Sequence, residues 1–349
     1  MAMCQALADN GHRVTLLGQH PKNRISRTDP HIFYGTKRTF NVIPLSVPRI
    51  PFGFFLYQLS ILWYLWRVKP DLVYGRFLEG CLLATRFKYL TIYEAHIPVW
   101  HKNDQQEALF LRLIRQPSFK RLVVISQALK TLYTERYPEL ADSTFVAHDG
   151  ADIPKTTEAH TDWPGRRGHL QIGIVGHLYK GRGVELMLEI AKALSGVDVH
   201  FIGGTEKDIN HWKNKVNLPN IFFHGFIEPA QLSPYINALD VGLMPYQKKV
   251  RIHGRESLNT SEFMSPLKLF QYMAHKKTII ASDLPVIREV VDEKSAILVP
   301  HNDTNEWIGA VSSLENKEKR SNLAKQAHDI FLQKYTWQKR ARLALDQVQ

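Results

Sequence analysis

The sequence predicts an α/β protein of two domains, each built on a parallel sheet. Short apolar stretches alternate with longer helical patterns along most of the chain, and a polar segment bounded by proline and glycine interrupts them near the middle. Short strands separated by helices of this length are typical of βαβ units and hence of parallel sheets. With 349 residues, the chain is long enough for two domains of ordinary size.

The strand and helix positions follow from these patterns. In the first half, strands are predicted at 14–17, 71–74, 91–93, 121–124 and 144–146, and helices at 1–10, 78–88, 105–116 and 126–136. In the second half, strands are predicted at 170–175, 197–202, 221–223, 240–244, 278–281 and 295–298, and helices at 184–194, 206–215, 230–238, 265–275, 286–292 and 304–315. Both halves are therefore predicted to be Rossmann-like.

Residues 152–168 form the predicted linker, because this stretch is polar and carries proline and glycine near both ends. The predicted domains are thus 1–160 and 168–330. The remaining segment, 331–349, contains a predicted helix that starts after Thr336, since threonine is a favoured N-cap residue.

The most apolar stretch is Ile50–Trp66, which is flanked by Arg49 and Arg67. Its 17 residues are at the lower limit for crossing a bilayer, and its proline, glycine, glutamine and serine weaken that interpretation. Aromatic side chains between basic flanks also suit a helix that lies in a membrane interface. We favour a core helix that leads into the strand at 71–74 and keep peripheral contact with an anionic membrane as the alternative.

Composition and charge narrow the function classes. The chain is 44% hydrophobic and 22% charged, which is ordinary for a globular protein, and its formal net charge of +12 favours an anionic partner. That partner can be a phosphate-bearing substrate, an anionic membrane or nucleic acid. Nucleic acid is a third hypothesis that only the charge supports and is not our prediction, because no helix-turn-helix, zinc or aromatic RNA-binding motif occurs. Cys4 and Cys81 are too few for a disulfide framework, and no signal peptide opens the sequence, so a cytoplasmic location is predicted.

A helix start at Ser265-Pro266 is the strongest local signal in the chain. Serine is a favoured N-cap residue and proline suits the first helical position, so the sequence predicts these roles for the pair. Lys268 in the first turn opposes the helix dipole by about 0.3–1 kcal/mol, unless an anion binds there. Spacing leaves two interpretations open: a diphosphate site, or a well-capped core helix with Lys268 pointing to water.

Residues 265–291, SPLKLFQYMAHKKTIIASDLPVIREVV, closely resemble the donor-binding segment of the group 1 (family 4) retaining glycosyltransferases. The family pattern has a Ser-Pro-x-Lys helix start, a Glu-Tyr-Met-Ala run, a buried strand and a Leu-Pro-x-x-x-Glu helix, and the match covers 27 consecutive positions. The resemblance implies the GT-B fold, in which two Rossmann-like domains face a cleft. It also implies that Ser265, Pro266, Leu267 and Lys268 contact the diphosphate of a nucleotide-sugar donor.

A glycine loop, Gly176–Gly183, follows the first strand of the second domain and precedes a helix. Glycines in this position let a phosphate approach the backbone at a helix N-terminus, and the pattern differs from the dinucleotide GxGxxG. The loop resembles the family's Gly-Arg-Leu-x-x-x-Lys-Gly, with Arg182 in the lysine position and His177 in the arginine position. A second basic stretch, with Lys248, Lys249, Arg251 and Arg255, suits either phosphate binding or a solvated surface.

Two further contacts with the donor are implied by the resemblance. His96 follows a strand of the first domain, where the family carries a histidine that faces the donor sugar across the cleft; its neighbour Glu94 we interpret as structural. The backbone of Gly225, Phe226 and Ile227 is expected near the nucleotide base. Gln271 departs from the family, which usually has a glutamate that binds the ribose hydroxyls there, so weaker donor affinity is expected.

Metal independence is the remaining expectation about the chemistry. No Asp-x-Asp occurs in the sequence, and transferases that hold a nucleotide diphosphate through a divalent metal usually need paired acidic ligands. Arg182, Lys268 and the N–H groups around Ser265–Leu267 are expected to stabilise the leaving diphosphate instead. The resemblance implies transfer with retention, by same-face attack in which the leaving phosphate accepts the proton of the acceptor.

The sequence thus favours a hexosyltransferase that uses a nucleotide-sugar, with UDP favoured and GDP as the alternative base, and needs no cofactor. The expected acceptor is a saccharide or a lipid-linked saccharide in surface polysaccharide or glycolipid synthesis, and the expected location is the cytoplasm, at the inner face of the membrane if the membrane alternative holds. A degenerate homologue that serves as a non-catalytic binding subunit remains the second hypothesis, because Gln271 and His177 depart from the family.

The resemblance also leads to a prediction for each end of the chain. In the family, the helix matched by residues 1–10 follows a first strand and a glycine-rich turn, and the first strand is central in a sheet of order 3-2-1-4-5-6. We expect the sequence to start about 20–30 residues late relative to that pattern. The family's helix after a Ser/Thr-Trp pair commonly crosses back to the first domain, so the same is expected for residues 331–349.

Overall fold

The computed structural model describes residues 1–19, 28–48, 50–155, 158–160, 162–178, 181–249, 259–346 and 348. The chain divides into two compact units. The first unit comprises residues 1–148 and 338–349, and the second comprises residues 149–337. The predicted linker, 152–168, lies within the second unit.

The first unit is a series of alternating helices and short strands. It contains α1 (Ala2–Asp9), β1 (Thr15–Gln19), α2 (Pro30–Tyr34), β2 (Asn41–Leu45), α3 (Gly53–Val68), β3 (Val73–Gly75), α4 (Leu78–Arg86), β4 (Thr91–Ala95), α5 (Asp104–Ile114), β5 (Phe119–Val124), α6 (Gln127–Arg136) and β6 (Thr144–Val146). Among these residues β1 pairs in parallel with β2, and the order β3-β4-β5-β6 forms a second parallel sheet. The α/β class with parallel sheets is therefore confirmed.

Two elements of this unit are absent from the sequence prediction. Helix α2 begins after Asp29, whose side chain accepts the backbone N–H groups of His31 and Ile32. Strand β2 carries Pro44, and a proline inside an apolar run argues against a strand unless one edge is free. Among the described strands β2 pairs only with β1, so its other edge needs no backbone N–H for pairing and tolerates Pro44.

The second unit contains a six-stranded parallel sheet. Its elements are β7 (Leu170–Val175), α7 (Val184–Ala193), β8 (Val197–Ile202), α8 (Glu206–Lys213), β9 (Ile221–Gly225), α9 (Leu232–Asn237), β10 (Val241–Met244), α10 (Leu267–Ala274), β11 (Thr278–Ser282), α11 (Pro285–Arg288), β12 (Ile297–Val299), α12 (Thr304–Ser312) and α13 (Lys317–Ile330). The strand order is β12-β11-β10-β7-β8-β9, with every neighbouring pair parallel.

This strand order places a topological switch point between β7 and β10, where the chain changes direction along the sheet. In open α/β sheets, ligands bind outside the carboxyl ends of the strands at such a point. The strands beneath it are almost fully buried: Ile172, Val199 and Phe201 are inaccessible to solvent and pack in one core with Trp307 of α12. The rigid sheet thus presents the loops after β7 and β10 side by side.

The last helix, α14 (Trp337–Leu345), returns to the first unit. Its Ala344 is buried in a small core with Ile92 of β4 and Val123 of β5. Ahead of it, α13 continues into a π-helical turn at Phe331–Tyr335. The sequence prediction omits α13, although Asn316 caps it by accepting the backbone N–H of Lys319.

Candidate functional site

The candidate site is built from the loops that leave β7 and β10. Gly176 follows β7 directly, and Pro245 and Tyr246 follow β10. Gly183, with φ of +79°, is the N-cap of α7, and a β-carbon there would stand 2.5 Å from Cγ of Pro245 and closer still to its carbonyl oxygen. Glycine at 183 therefore lets the two loops close on each other.

Lys268 reaches this point from the first turn of α10. A β-carbon on Gly176 would lie 2.5 Å from Nζ of Lys268 and nearer still to Cε, and Gly176 has φ of +121°, which side chains other than glycine rarely adopt. The ammonium of Lys268 therefore lies directly against the backbone at the end of β7. It has no hydrogen bond or salt bridge to another residue in the described ranges.

Tyr272 fixes α10 against the same strand. Its hydroxyl accepts the backbone N–H of Val175 at 3.0 Å and donates to the carbonyl of Gly173 at 3.4 Å. Tyr272 is four residues after Lys268, so both side chains leave the same face of the helix. The fully buried ring of Tyr272 also packs against Gly242, where a β-carbon would stand 2.5 Å from Cγ of the ring. The sequence prediction gave Tyr272 no role; its spacing from Lys268 is the signal that identifies it.

Arg182 supplies a second positive charge to the site. Its guanidinium carbon lies 5.0 Å from the ring centroid of Tyr246, in cation–π geometry, and its side chain also hydrogen-bonds Tyr246. Burial, together with the charge of Arg182, lowers the pKa of Lys268 to about 8. Two cations held this close repel each other, so the arrangement favours an anion bound between or beside them.

The predicted start of this helix is wrong by one or two residues. The N-cap of α10 is Pro266 and makes no side-chain cap hydrogen bond, and the first helical residue is Leu267. The hydroxyl of Ser265 accepts the backbone N–H of Asp149 at 2.8 Å instead, and Ser265 is buried. A serine before proline predicts a cap, but here a tertiary hydrogen bond takes the hydroxyl. The first turn remains without an acidic residue.

The other predicted donor residues surround the same strand ends. His177 follows Gly176 and is exposed, Leu267 is exposed at the start of α10, and Gln271 is half-buried one turn after Lys268. Gly225 ends β9 with φ of +77° and forms a bridge to Gly203, which follows β8.

Phe226 is an exposed aromatic residue directly after this strand end, and Ile227 is half-buried beside it. Of the second basic stretch, Lys248 and Lys249 are exposed, while Arg251 and Arg255 lie outside the described residues.

His96 belongs to a hydrogen-bonded network within the first unit. Its Nδ1 lies 2.7 Å from Nη2 of Arg76, and its Nε2 lies 2.5 Å from Oε1 of Glu94. Because a guanidinium can only donate, Nδ1 accepts and Nε2 carries the proton that it donates to Glu94. The contacts of the first unit thus fix the tautomer of His96.

Glu94 is anchored from three sides. Beside His96, the hydroxyl of Tyr74 donates to it, and Nη1 of Arg340 in α14 lies 3.1 Å from Oε2. Burial would raise the pKa of this carboxyl, but the charge of Arg340 and the hydrogen bond from His96 hold that pKa well below its usual range. Both Glu94 and Arg340 are almost inaccessible to solvent. These contacts agree with a structural role for Glu94.

The sequence prediction missed a polar network within the second unit. His200 donates from Nε2 to Oε1 of Gln171 at 2.8 Å, and its Nδ1 lies 2.9 Å from Nε2 of His224. Trp163 stacks on both imidazoles and also donates to Gln171. Burial lowers the pKa of His200 to about 3 and that of His224 to about 4, so both are neutral. His224 is thus held by a core network.

Part of the sequence matches a known protein family and a known relative. Residues 169–317 match the family model "Glycosyl transferases group 1". A 123-residue stretch is 26% identical to the putative teichuronic acid biosynthesis glycosyltransferase TuaH of Bacillus subtilis (strain 168). That alignment covers 35% of this chain and 28% of the relative, so the match spans about a quarter of the length of that protein.

Solved structures resemble nearly the whole chain. HepE of Anabaena in complex with UDP and glucose has a TM-score of 0.74 at 12% identity, over 99% of this chain and 94% of that one. Sucrose-phosphate synthase from Thermosynechococcus elongatus has a TM-score of 0.69 at 15% identity, over 97% of this chain and 89% of that one. At these identities the likeness concerns the fold.

The fold is thus that of the GT-B glycosyltransferases, as the sequence resemblance implied. Residues 169–317, which match the model of the group 1 glycosyl transferases, include Gly176, Arg182 and Lys268.

Proposed function

We propose that this protein is a retaining hexosyltransferase that uses a nucleotide-sugar donor. The observation that carries the proposal is the ammonium of Lys268, which lies against the backbone of Gly176 without a protein counter-ion in the described ranges and next to Arg182. A half-buried cation pair at the switch point of a parallel sheet is suited to a diphosphate, whose two negative groups match two positive ones. The group 1 domain match supports the same donor class.

The same residues account for departure of the leaving group. As the bond between the sugar C1 and the diphosphate oxygen breaks, negative charge develops on the diphosphate, and Lys268 and Arg182 stabilise it with the first-turn N–H groups of α10. The acceptor hydroxyl attacks C1 from the same face, a new C1–oxygen bond forms, and the leaving phosphate takes the hydroxyl proton. This chemistry needs no metal ion, so we propose a metal-independent transferase.

The donor and acceptor are proposed from the relatives. HepE has been solved with UDP and with UDP-glucose, which favours a UDP-sugar here, with a GDP-sugar as the alternative. The TuaH relative is described as a putative teichuronic acid biosynthesis glycosyltransferase, which supports an acceptor in polysaccharide synthesis. Glycolipid synthesis and a location at the cytoplasmic face of a membrane are our own proposals.

His96 is proposed to contact the donor sugar. Its ring is held by Arg76 and Glu94, which fixes the tautomer and the orientation of the imidazole on the first unit. Because both ring nitrogens are engaged by these two partners, the proposed contact is made by the face or a C–H edge of the ring, which suits packing against the sugar better than proton transfer.

A thermal-shift screen against UDP, GDP, ADP and their sugar conjugates tests this function. A ligand at about 100 times its dissociation constant adds about 2.7 kcal/mol to the free energy of unfolding. We expect one nucleotide to raise the melting temperature, and proton NMR to detect slow donor hydrolysis that first releases the sugar anomer present in the donor. The same hydrolysis rate in EDTA supports metal independence. Binding without any turnover would instead indicate a binding subunit, and no binding at all would refute the proposal.

A further inference from the structure

We propose that the outward face of α3 and the basic ends of α3 and α4 form one surface that inserts into an anionic lipid bilayer. This rests on the proposed function only in that a lipid-linked acceptor would place the enzyme at a membrane; the surface itself is defined within the first unit. The outward face consists of six apolar side chains that are between 39% and 82% exposed: Phe52, Phe55, Leu56, Leu59, Trp63 and Trp66.

The inner face of α3 packs in the core of the first unit. Tyr57, Ile61 and Leu65, spaced four residues apart, are buried in one cluster with Leu45 and Ala84. A surface helix of a globular protein normally turns charged and polar residues outward. The stretch Phe52–Trp66 contains no charged residue at all. The two sequence interpretations, core helix and interfacial helix, therefore describe the two faces of one helix.

The few polar groups on this stretch do not break the apolar face. The hydroxyl of Ser60 donates to the carbonyl of Leu56 at 3.0 Å, so the helix itself satisfies it. An open groove of about 410 Å³ is lined by Ser60 together with Leu45 of β2, Leu56, Leu59, Trp63 and Tyr64. Its walls are mostly apolar side chains, which suits an acyl chain better than water.

The backbone at the start of α3 places an aromatic ring in solvent at an energetic cost. Phe52 is the N-cap with φ of +63° and ψ of +10°, a left-handed conformation that bulky residues seldom adopt. Its side chain is 82% exposed. Gly53, which follows, packs so closely on the carbonyl of Pro48 that a β-carbon would overlap it. A left-handed backbone at a bulky residue costs about 1–3 kcal/mol, and strain of this kind is typical of functional sites. Here that strain holds a phenylalanine in an exposed position.

Positive charge borders this apolar face. The hydroxyl of Tyr89 donates to the carbonyl of Leu65 at 3.0 Å, which brings the residues after α4 next to the end of α3. Four cations occupy these two chain ends, all of them exposed: Arg67, Lys69, Arg86 and Lys88. The guanidinium of Arg67 lies 5.7 Å from the ring centroid of Trp63, and Phe87 is also exposed.

These features select an anionic bilayer as the occupant. Tryptophan, with an apolar body and a polar N–H, and arginine, with an apolar stem and a charged end, are typical of the membrane interface. Each cation near an anionic leaflet strengthens binding about fivefold. Among the described residues no helix is long and apolar enough to span a membrane. An exposed apolar face bordered by cations is typical of a helix that lies in the plane of the interface. A second copy of the chain would offer an apolar face but would bring its own net charge of +12, which opposes association.

Co-sedimentation of the full chain with vesicles tests the proposal. We expect binding to vesicles of phosphatidylglycerol and phosphatidylcholine, weaker binding to phosphatidylcholine alone, and loss of the difference at high salt. Replacing Phe52, Phe55, Trp63 and Trp66 with serine is expected to lower the affinity at least tenfold. Because these side chains point outward, the melting temperature is expected to change little, and circular dichroism will verify the fold.

Matched variants separate a specific surface from general basicity. Changing Arg67, Lys69, Arg86 and Lys88 to glutamine is expected to lower the affinity for anionic vesicles at least tenfold. Changing Lys213, Lys294, Lys317 and Lys325 to glutamine removes the same charge from exposed positions of the second unit and is expected to change it less than threefold. Equal losses in both sets would overturn the proposal.

Tryptophan fluorescence reports insertion directly. Of the seven tryptophans, all within the described ranges, only Trp63 and Trp66 are exposed. Brominated lipids are expected to quench the wild-type protein, and a W63F/W66F variant is expected to bind vesicles but lose that quenching. Absence of quenching, or light scattering that shows a dimer abolished by the serine variant, would refute bilayer insertion. Neither result depends on donor binding, so the proposal can fail while the proposed function stands.

Discussion

Lys268 owes its position to the absence of a side chain at residue 176. A lysine in the first turn of a helix is electrostatically unfavourable, and burial next to Arg182 makes it more so. Gly176 nevertheless lets the ammonium lie against the end of β7, and Tyr272 holds the helix that carries it. Energetically unfavourable placement that the surroundings enforce is typical of binding sites.

Gly176→Ala tests this placement. The new methyl group would overlap the end of Lys268 and would also strain a residue with φ of +121°, so we expect at least a tenfold rise in the dissociation constant of the nucleoside diphosphate. Isothermal titration calorimetry measures it. Gly309→Ala is the matched control, since a β-carbon there meets nothing within 4 Å. An alanine at 176 that binds as well as wild type would show that the ammonium position is unimportant.

Donor affinity is expected to depend on pH through Lys268. Burial and the charge of Arg182 lower its pKa to about 8, and the protonated form is the one that we propose to bind the diphosphate. The affinity is therefore fully present below pH 8 and decreases as the pH rises above it, while bound donor raises the pKa. Titrations from pH 6 to 10 measure this decrease. Lys268→Arg, which stays charged throughout that range, is the control that should show a flatter profile.

Gln271→Glu tests ribose contact by α10. A carboxylate forms stronger hydrogen bonds to hydroxyls than an amide, by about 1 kcal/mol, so we expect about fivefold tighter donor binding. The Michaelis constant for the donor measures the change. Gln326→Glu on the exposed surface of α13 adds the same charge and should leave that constant unaltered. An unchanged constant for Gln271→Glu would argue against ribose contact.

At the scale of elements, α14 is fastened to β4 through a buried ion pair. Arg340 contacts Glu94 at 3.1 Å and donates from Nε to the carbonyl of His148 at 2.9 Å, so one side chain joins the helix to two parts of the first unit. Removing one partner of a buried pair leaves the other charge uncompensated. The C-terminal helix is thus a structural component of this unit and supports the network that orients His96.

Arg340→Met is expected to lower the free energy of unfolding by about 3–5 kcal/mol. Chemical denaturation measures it, with Arg342→Met on the exposed side of α14 as a control expected to change it by about 0.5 kcal/mol or less.

The buried pair of Glu94 and Arg340 also predicts that the stability of the fold depends on pH. The depressed pKa of Glu94 stabilises the fold above the pKa of an unfolded glutamate and loses that effect as the pH falls towards the folded value. Glu94→Gln should therefore weaken the acid dependence of stability.

The strands of the second unit could be predicted from the sequence because they are buried on both faces. Residues 170–175 and 197–202 are continuous apolar runs apart from Gln171, Asp198 and His200, and their predicted bounds are those in the structure. The contacts of these three polar residues could not be predicted. They meet Trp163 and His224 only after the sheet has formed, and no spacing in the sequence indicates such a network.

Helix boundaries and exposed faces were the other limits of prediction. The hydroxyl of Ser265 could cap a helix by its position in the sequence, but the backbone N–H of Asp149, far away in the chain, takes it. Periodicity likewise could not decide between a core and an interfacial role for α3, because both faces are apolar and only the fold determines which face is covered.

At the scale of the molecule, exposed or half-buried cations cluster at two places. Arg182 and Lys268 lie at the switch point of the second sheet, and the four cations beside α3 lie on the first unit. A protein with a net charge of +12 can in principle attract any polyanion. We propose a separate anion for each location: a diphosphate for the second unit and a lipid surface for the first. The vesicle experiments and the nucleotide titrations can therefore succeed or fail independently.

The central claim is that the cations at the switch point bind a diphosphate, and calorimetry with and without that group tests it most directly. The nucleoside diphosphate selected by the thermal-shift screen and its parent nucleoside are titrated into wild type, Lys268→Gln, Arg182→Gln and the exposed control Lys294→Gln. We predict that each site variant weakens diphosphate binding about 10–100-fold, because a hydrogen bond to a charged group contributes about 1.5–3 kcal/mol, and leaves nucleoside binding unchanged. Equal loss for both ligands, or no loss for the diphosphate, would contradict the account.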